Sequence, residues 1–304
     1  MSEPLPHLDS PPVQENAHSW HLFQIHLAVP LFGLAGVFGK IILLPPPLIV
    51  FGRVLFAAVA LAGIIPLFRL NYRVRSSRDT LFLLLLGMLL AVHWIAFFQS
   101  IKVYTVAIAL LSYSTFPIFA SLIEPFFFHE RISIREIGLA CLACVGTAVI
   151  IPSLNIEHDI TRGVLWGILS GLTFAVLSIL NRRYVRNYSG LTIALYEELG
   201  AAMVLSPLVF LIDFRLRVQD VALLIILGIV STAVAHSLFI GGMRRVRART
   251  AGLVAALEPV YGILFALVVL GERPSLRTLG GGMLILGAAV LATISSSHMP
   301  APDS

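Results

Sequence analysis

The sequence predicts an all-α polytopic membrane protein with ten transmembrane helices, arranged as two inverted five-helix repeats. Three observations support this fold class. The 304-residue chain is 58% hydrophobic but only 12% charged, whereas soluble domains average about a quarter charged residues. Apolar stretches of about 20 residues, each long enough to span a bilayer as a helix, follow one another with short polar breaks. A charged motif also occurs twice at a fixed spacing.

Ten apolar segments, bounded by clusters of Arg, Pro, Gly or Asn, give the predicted helices. They cover residues 22–43, 47–68, 79–100, 104–128, 134–152, 162–182, 190–212, 221–243, 250–270 and 276–295. A run of prolines at 45–47 separates the first two segments, because proline cannot continue a helix. Residues 1–19 are predicted to be a flexible cytoplasmic tail, which lacks the basic residues of a secretory signal, and residues 296–304 a second cytoplasmic tail.

The repeated motif defines two copies of one large unit. Residues 130–138 recur as 272–280, with Glu, Arg, Ser, Arg and Gly at matching positions. This long period predicts two domain-sized repeats, at 20–152 and 162–295. Because each repeat has an odd number of helices, the second must enter the membrane from the opposite side.

Inversion places the two Glu-Arg loops on opposite membrane faces, so we interpret them as structural turns and not as one chemical site. The residues that receive a structural role are Glu130, Arg131, Glu272, Arg273, Gly138, Gly280, Pro117 and Pro259. Ser133 and Ser275 are placed to cap the helices that follow, and the two glycines to allow close packing early in them. Both prolines are expected to kink their helices.

The distribution of Lys and Arg predicts the orientation in the membrane. The loops on the side of the two termini carry thirteen of these residues, and the loops on the other side carry seven. By the positive-inside rule, both termini are expected to be cytoplasmic. The net charge of +5 is explained in the same way, so we do not expect nucleic acid as a partner.

Ionisable residues inside a span are energetically costly, and they mark functional sites when they lie too deep to reach the interface. Arg53, Glu197, His236 and Glu258 meet this condition. Lys40, Lys102 and Glu124 lie near predicted helix ends, where long side chains reach the headgroup region, and we assign them no role in the site.

Glu258 is the deepest acidic residue, and Pro259 follows it directly. Tyr261 and Phe265 lie three and seven residues further on, so the helical period places all three side chains on one face. Such an acidic and aromatic face could receive an ammonium group. The alternative is a structural pairing of Glu258 with an Arg or a hydroxyl group on a neighbouring helix.

The repeat relates further candidates for the central path. Trp94 on the third span corresponds to His236 on the eighth, and Tyr113 belongs to a polar stretch in the first copy of the proline-containing helix. Glu197 and Glu198 are adjacent and about 100° apart on their helix, so we expect only one of them to face the cavity. Arg53 could neutralise a carboxylate of the protein or bind a carboxylate of the substrate.

We assign no metal site to two groups of potential metal ligands. Cys141 and Cys144 have CxxC spacing but no second pair, so we interpret them as small buried residues. The histidines near the N-terminus have no carboxylate or cysteine placed to complete a metal site, although the sequence does not decide whether they bind metal.

These features resemble a known family. Each predicted copy has a proline-kinked fourth helix, a short Glu-Arg loop and a glycine-rich last helix, as in EamA-type transporters of the drug/metabolite transporter superfamily. The motif segments are 115–117 continuing through 130–138, and 257–259 continuing through 271–280. The resemblance extends over nearly the whole chain. One departure is a denser basic loop at 244–249, which we interpret as a topology signal.

The resemblance implies ten helices, cytoplasmic termini, a cavity between the repeats and alternating access. It implies a small polar substrate, such as an amino acid, an amino-acid derivative including an opine-type metallophore, another metabolite or a drug. Most prokaryotic members are considered exporters of the inner membrane, so export of an amino-acid-like compound is the leading expectation. The alternatives are import or facilitated passage of a cationic or drug-like molecule.

An integral membrane enzyme is a different class, and it needs a metal motif or a serine paired with a base. The sequence contains neither of these, nor a nucleotide-binding Gly-rich loop. We therefore expect a secondary transporter and not an enzyme, with no cofactor. The expected partners are the lipid bilayer, the substrate and a candidate coupling proton, in a monomer or homodimer.

Overall fold

The computed structural model describes residues 13–69, 72–128, 134–151, 157–246, 251, 254–255 and 257–296, and these residues form helices and short connections. The helices are α1 (Val13–Ile41), α2 (Pro46–Leu67), α3 (Ser77–Val103), α4 (Val106–Tyr113), α5 (Phe116–Phe128), α6 (Ile134–Ile150), α7 (Asp159–Tyr184), α8 (Gly190–Leu205), α9 (Leu208–Leu211), α10 (Val218–Gly228), α11 (Ala235–Gly242), α12 (Glu258–Leu270) and α13 (Leu276–Ser296), with a π-helical segment (Ile229–Val234) between α10 and α11.

Within the described ranges, seven helical segments are long and apolar enough to cross a membrane. They are Ser19–Ile41, Pro46–Leu67, Ser77–Val103, Val106–Phe127, Asp159–Tyr184, Gly190–Leu211 and Val218–Gly242. Three shorter apolar helices are Ile137–Ile150, Glu258–Leu270 and Leu276–Leu291. The prediction of an all-helical membrane protein is therefore confirmed. Helix α1 begins at Val13, which lies inside the segment predicted to be a flexible tail.

Both prolines of the repeated motif lie just after a break in a helix. Helix α4 ends at Tyr113, and α5 begins at Phe116, one residue before Pro117. Ser114 Oγ donates to the Leu110 carbonyl oxygen (2.8 Å), so a side chain satisfies part of the backbone at this break. In the second half, Pro259 is the second residue of α12. The predicted kinks are thus interruptions, which suit a proline because its nitrogen has no proton to donate.

Glycines at two helix crossings bring the central helices together. Where α1 crosses α12, a Cβ atom added to Gly33 would lie 2.9 Å from the amide nitrogen of Gly262. Where α3 crosses α8, a Cβ atom added to Gly87 would lie 2.7 Å from the amide nitrogen of Ala201. These distances leave no room for a side chain, so small residues set how closely the backbones approach.

The expected role of Gly138 and Gly280 in close packing is wrong. A Cβ atom added to either glycine would meet no other described atom within 4 Å. The contact between α6 and α13 lies further along both helices, where a Cβ atom on Gly146 would lie 2.8 Å from the carbonyl oxygen of Gly281. Gly146 lies about two turns beyond Gly138, whereas Gly281 is the residue next to Gly280.

The cysteines were also predicted incorrectly. Cys141 and Cys144 are both exposed on the outer surface of α6, and neither is disulfide-bonded. A membrane-embedded helix at the edge of a bundle faces lipid and not water, so apolar residues on its surface are not forced inward. The helical spacing correctly places both cysteines on one face, but that face is the exposed one.

The Glu272 loop closes one face of the bundle by binding the first half of the chain. Glu272 Oε2 accepts a hydrogen bond from the Val106 amide (3.0 Å) at the start of α4, and Glu272 Oε1 lies 3.8 Å from Lys40 Nζ. Ser275 Oγ accepts from the Thr278 amide (3.1 Å), which confirms the predicted cap of α13. Arg273 is exposed. The corresponding residues Glu130, Arg131 and Ser133 lie outside the described part of the chain.

The three ionisable residues that we set aside have structural contacts. Lys40 donates to the carbonyl oxygens of Ile101 and Tyr104, and Lys102 donates to that of Ile42. Glu124 is buried and pairs with Arg182. Lys40 and Lys102 therefore tie the end of α1 to the end of α3.

Candidate functional site

A small cavity lies at the centre of the bundle, where seven helices meet. It is lined by residues of α1, α2, α3, α4, α7, α11 and α12, namely Phe32, Ala35, Arg53, His93, Trp94, Phe97, Tyr113, Phe174, His236 and Glu258. Five of the predicted site residues are among them: Arg53, Trp94, Tyr113, His236 and Glu258. The cavity volume is about 20 Å³, which is room for roughly one water molecule. The helices must therefore separate before a metabolite can enter.

Arg53 on α2 is the buried cation of this cavity, with only 1% of its surface exposed. Its Nε donates to Thr232 Oγ1 (2.9 Å) and its Nη2 donates to the Ser231 carbonyl oxygen (3.2 Å). The guanidinium carbon lies 3.8 Å from the centre of the Trp94 ring, which is a cation–π contact. These bonds occupy two of the five N–H groups of the guanidinium, so the others remain able to bind an anion.

The π-helical segment supplies both acceptors of Arg53. A π-helical turn adds a residue to a helix and often marks a functional site, because it changes where carbonyl groups and side chains point. Thr232 Oγ1 donates its own proton to the Leu227 carbonyl oxygen (2.8 Å), which leaves its lone pairs for Arg53. The orientation of Arg53 is therefore set by the protein before any substrate binds.

His236 on α11 is held by a carboxylate from a neighbouring helix. Its Nε2 lies 2.8 Å from Glu197 Oε2, and both side chains are buried. When Glu197 is ionised, the imidazole donates this bond. The rings of His236 and Trp94 meet edge to face with their centres 5.7 Å apart. A continuous chain of contacts thus runs from Glu197 through His236 and Trp94 to Arg53.

The prediction that only one of Glu197 and Glu198 points inward is wrong, and neither of them lines the cavity. Both are completely buried. Because they lie about 100° apart on α8, they approach two different residues of the cavity wall. Glu197 bonds to His236, and Glu198 acts electrostatically on Arg53. Both oxygens of Glu198 lack a hydrogen-bond partner among the residues that the structure describes.

Glu258 is the carboxylate that lines the cavity itself. It is the first residue of α12, where the positive end of the helix dipole favours a negative charge. Its side chain is 4% exposed, and no side-chain hydrogen bond or ion pair connects it to another described residue. Arg53 acts on it electrostatically. Among the described residues, the cavity therefore holds a carboxylate without a partner and a guanidinium with N–H groups left to donate.

Aromatic rings and an unpredicted histidine form the remaining wall. His93 Nδ1 lies 2.9 Å from the Ser170 carbonyl oxygen, to which it donates when it carries the proton, and 3.0 Å from Ser170 Oγ, which donates to it in the other tautomer. The imidazole packs against the rings of Tyr113 and Phe174, with centres 5.6 Å and 4.9 Å away. His93 was not among the ionisable residues predicted from the sequence to lie deep in a span. Its depth in the third span would have identified it.

Tyr261 does not belong to the cavity. It is 37% exposed, whereas Glu258 three residues earlier is 4% exposed. The i,i+3 relation predicted a shared face, and both residues belong to α12, but their exposure differs. Residues three apart on a helix still point about 60° away from each other, and this rotation leaves the Tyr261 ring outside the cavity wall. Tyr261 lies on the outer surface of α12.

Comparisons with known proteins agree with this architecture. Residues 19–151 and 161–294 each match the EamA-like transporter family. The chain is 26% identical over 288 residues to an uncharacterized transporter, YxxF, of Bacillus subtilis (strain 168), with 92% of each chain covered. It is 29% identical over 219 residues to an uncharacterized transporter of Archaeoglobus fulgidus, which covers 72% of this chain and 77% of the relative.

A third relative carries a more specific name. The S-adenosylmethionine uptake transporter of Rickettsia bellii is 23% identical over 247 residues, covering 81% of this chain and 83% of the relative. A solved crystal structure also shares the fold, with a TM-score of 0.67, 18% identity and coverage of 94% of this chain and 99% of the other. Because the family matches extend over most of the sequence, the chain belongs to the EamA-like transporter family.

Proposed function

We propose that this transporter is a secondary carrier of a small zwitterionic metabolite, an amino acid or an amino-acid derivative, and that it works by alternating access. The observation that carries the proposal is the pair of opposite charges in the central cavity. Glu258 has no hydrogen-bond or ion-pair partner in the described part of the chain, and Arg53 has N–H groups left to donate. The substrate's ammonium group would face Glu258, and its carboxylate would face Arg53, since a planar guanidinium suits a carboxylate.

The closed cavity supports alternating access. A volume of about 20 Å³ cannot hold an amino acid, so binding requires a conformation in which the helices lie further apart. The proposed frame is ten membrane spans in two inverted five-helix repeats, 20–152 and 162–295. The cavity residues come from both of these segments, as expected for a site at a repeat interface. We place both termini in the cytoplasm and the protein in the inner membrane, on the basis of the Lys and Arg distribution.

The resemblance to exporters favours efflux as the direction. A second candidate is uptake of a cationic amino-acid derivative such as S-adenosylmethionine, which bears a sulfonium group. Relatives of this chain carry the name S-adenosylmethionine uptake transporter. Among the described residues, the centre also contains three buried carboxyl groups, those of Glu197, Glu198 and Glu258, and one buried guanidinium. An excess of carboxylates favours a substrate with net positive charge.

A proton is the proposed coupling ion. Desolvation favours the neutral form of a carboxyl group, so a carboxylate that loses its cationic partner takes up a proton more readily. Glu258 would bind the substrate's ammonium group in one step and a proton in the other. This exchange would couple substrate transport to proton transport. The Glu197–His236 pair is a second place where a proton can be held.

The test is transport by purified protein in proteoliposomes. Vesicles are loaded with labelled amino acids or S-adenosylmethionine, and efflux and uptake are measured with and without a proton gradient. We expect one of these compounds to move faster in protein-containing vesicles, with a rate that depends on the gradient, and Glu258→Gln to abolish that dependence. External unlabelled substrate should accelerate loss of internal label, as for a carrier. If every compound moves at the same rate in protein-containing vesicles and in empty vesicles, the proposal is contradicted.

A further inference from the structure

We propose that the protein has a binding site for one anionic phospholipid at the membrane boundary, separate from the central cavity. The site consists of a basic pocket and an apolar groove that share Arg244. The basic pocket has a volume of about 180 Å³ and is lined by Arg182, Arg186, Met243, Arg244, Arg245 and Val246. The headgroup phosphate would occupy this pocket.

The charge in the basic pocket is largely uncompensated. Arg182 pairs with Glu124, but no ion pair joins Arg186, Arg244 or Arg245 to a carboxylate in the described part of the chain. Three guanidinium groups around one concave surface therefore attract an anion. Arginine suits a phosphate because its planar fork donates two parallel hydrogen bonds.

The position of the pocket matches the depth of lipid headgroups. The candidate spans Asp159–Tyr184 and Val218–Gly242 both end beside it. Arg186 follows the end of the first span, and Arg244 and Arg245 follow the end of the second. Basic pockets between membrane helices at this depth bind anionic headgroups.

The neighbouring groove selects a lipid and not a free phosphate. It has a volume of about 380 Å³, and its wall is mostly apolar, with Leu61, Ile64, Leu191 and Leu238. The polar residues that line it besides Arg244 are His21, Gln24, Ser189 and Ser237. An acyl chain fits such an apolar wall, whereas a soluble phosphate compound gains nothing from it. Because Arg244 belongs to both cavities, a phosphate bound there would have its attached chain directly beside the groove.

The experiment measures lipid retention by the full-length protein in detergent, using native mass spectrometry. The purified protein is mixed with equal amounts of phosphatidylglycerol and phosphatidylcholine carrying identical chains. We expect one phosphatidylglycerol molecule to remain bound, with at least a tenfold preference over phosphatidylcholine. The variant carrying Arg186→Gln, Arg244→Gln and Arg245→Gln should lose this preference.

A control separates this site from general surface charge. It carries Arg69→Gln, Arg78→Gln and Arg135→Gln, which remove the same number of exposed charges from helix ends on the same predicted face. The control should keep the preference, and equal loss in both triple variants would overturn the proposal. Leu238→Trp, which narrows the groove, should also weaken retention at least threefold. Displacement of the lipid by equimolar glycerol phosphate would show a phosphate site without a lipid chain, and would overturn the lipid assignment.

Discussion

His236 and Glu197 form a buried hydrogen bond, with 2.8 Å between Nε2 and Oε2. It joins α11 to α8 beside the cavity, and it leaves Glu197 Oε1 without a hydrogen-bond partner among the described residues. A pair of this kind has two consequences. The hydrogen bond holds the imidazole against Trp94. If one of the two side chains is removed, the other remains as a buried polar group without its partner.

The first prediction concerns the energy of this pair. Glu197→Ala should destabilise the protein by about 1–3 kcal/mol, because the buried imidazole loses its partner. His236→Ala should have a similar effect. The double variant should lose less stability than the sum of the single losses, by about 0.5–3 kcal/mol. Unfolding of the detergent-purified variants measures these values, and strictly additive losses would contradict a direct interaction.

The second prediction concerns the crossing of α3 and α8. Gly87→Ala and Gly200→Ala should each lower the amount of folded protein and its melting temperature, because a methyl group there meets the backbone of the other helix. Gly63→Ala is the matched control, since a Cβ atom at Gly63 meets nothing within 4 Å. It should be neutral or slightly stabilising, because alanine favours helix more than glycine does. Size-exclusion yield and thermal unfolding distinguish the three variants.

The third prediction compares two tyrosines and two tryptophans. Tyr113→Phe and Trp94→Phe change the cavity wall, and each should reduce transport at least fivefold without a matching loss of folded protein. Tyr261→Phe and Trp166→Phe change exposed positions on α12 and α7, and transport should stay within twofold of the wild type. The measurement is initial transport rate per folded protein. A larger effect at Tyr261 than at Tyr113 would place the substrate path on the other side of α12.

The fourth prediction concerns the Glu272 loop. Glu272→Gln weakens the pairing with Lys40 and the bond to the Val106 amide, which together close one face of the bundle. We expect the yield of folded protein to fall at least twofold, while the ranking of substrates stays the same. Arg273→Gln is the control, because Arg273 is exposed in the same loop. A Glu272→Gln protein that folds normally but prefers another substrate would contradict a structural role.

The sequence predicted several elements of the site for a physical reason. A charged side chain in a membrane helix is too costly to keep without a function or a partner, so Arg53, His236 and Glu258 could be identified one by one. The proline motif likewise predicted a kink at Pro117, where the structure has a break between α4 and α5. These predictions depend on local chemistry, which the sequence contains directly.

What the sequence could not provide is the arrangement of helices around one another. Glu197 was predicted to bind substrate or a proton from the cavity wall, but it contacts the cavity only through His236. Tyr261 was predicted to share the face of Glu258, but residues three apart on a helix point about 60° away from each other, and Tyr261 does not line the cavity. In a bilayer both sides of a helix are apolar, so periodicity does not separate the lipid-facing side from the packed one, as Cys141 also shows.

The central claim is that Arg53 and Glu258 together bind a zwitterion. Its most direct test is the melting temperature of purified protein with the amino acid that stabilises it most, with the amide of that amino acid, and with its N-acetyl form. A ligand that binds only the folded state raises this temperature. The wild type should be stabilised only by the compound with both charges, and Glu258→Gln should bind it at least tenfold more weakly. Equal affinity of Glu258→Gln and wild type for that compound would contradict the account.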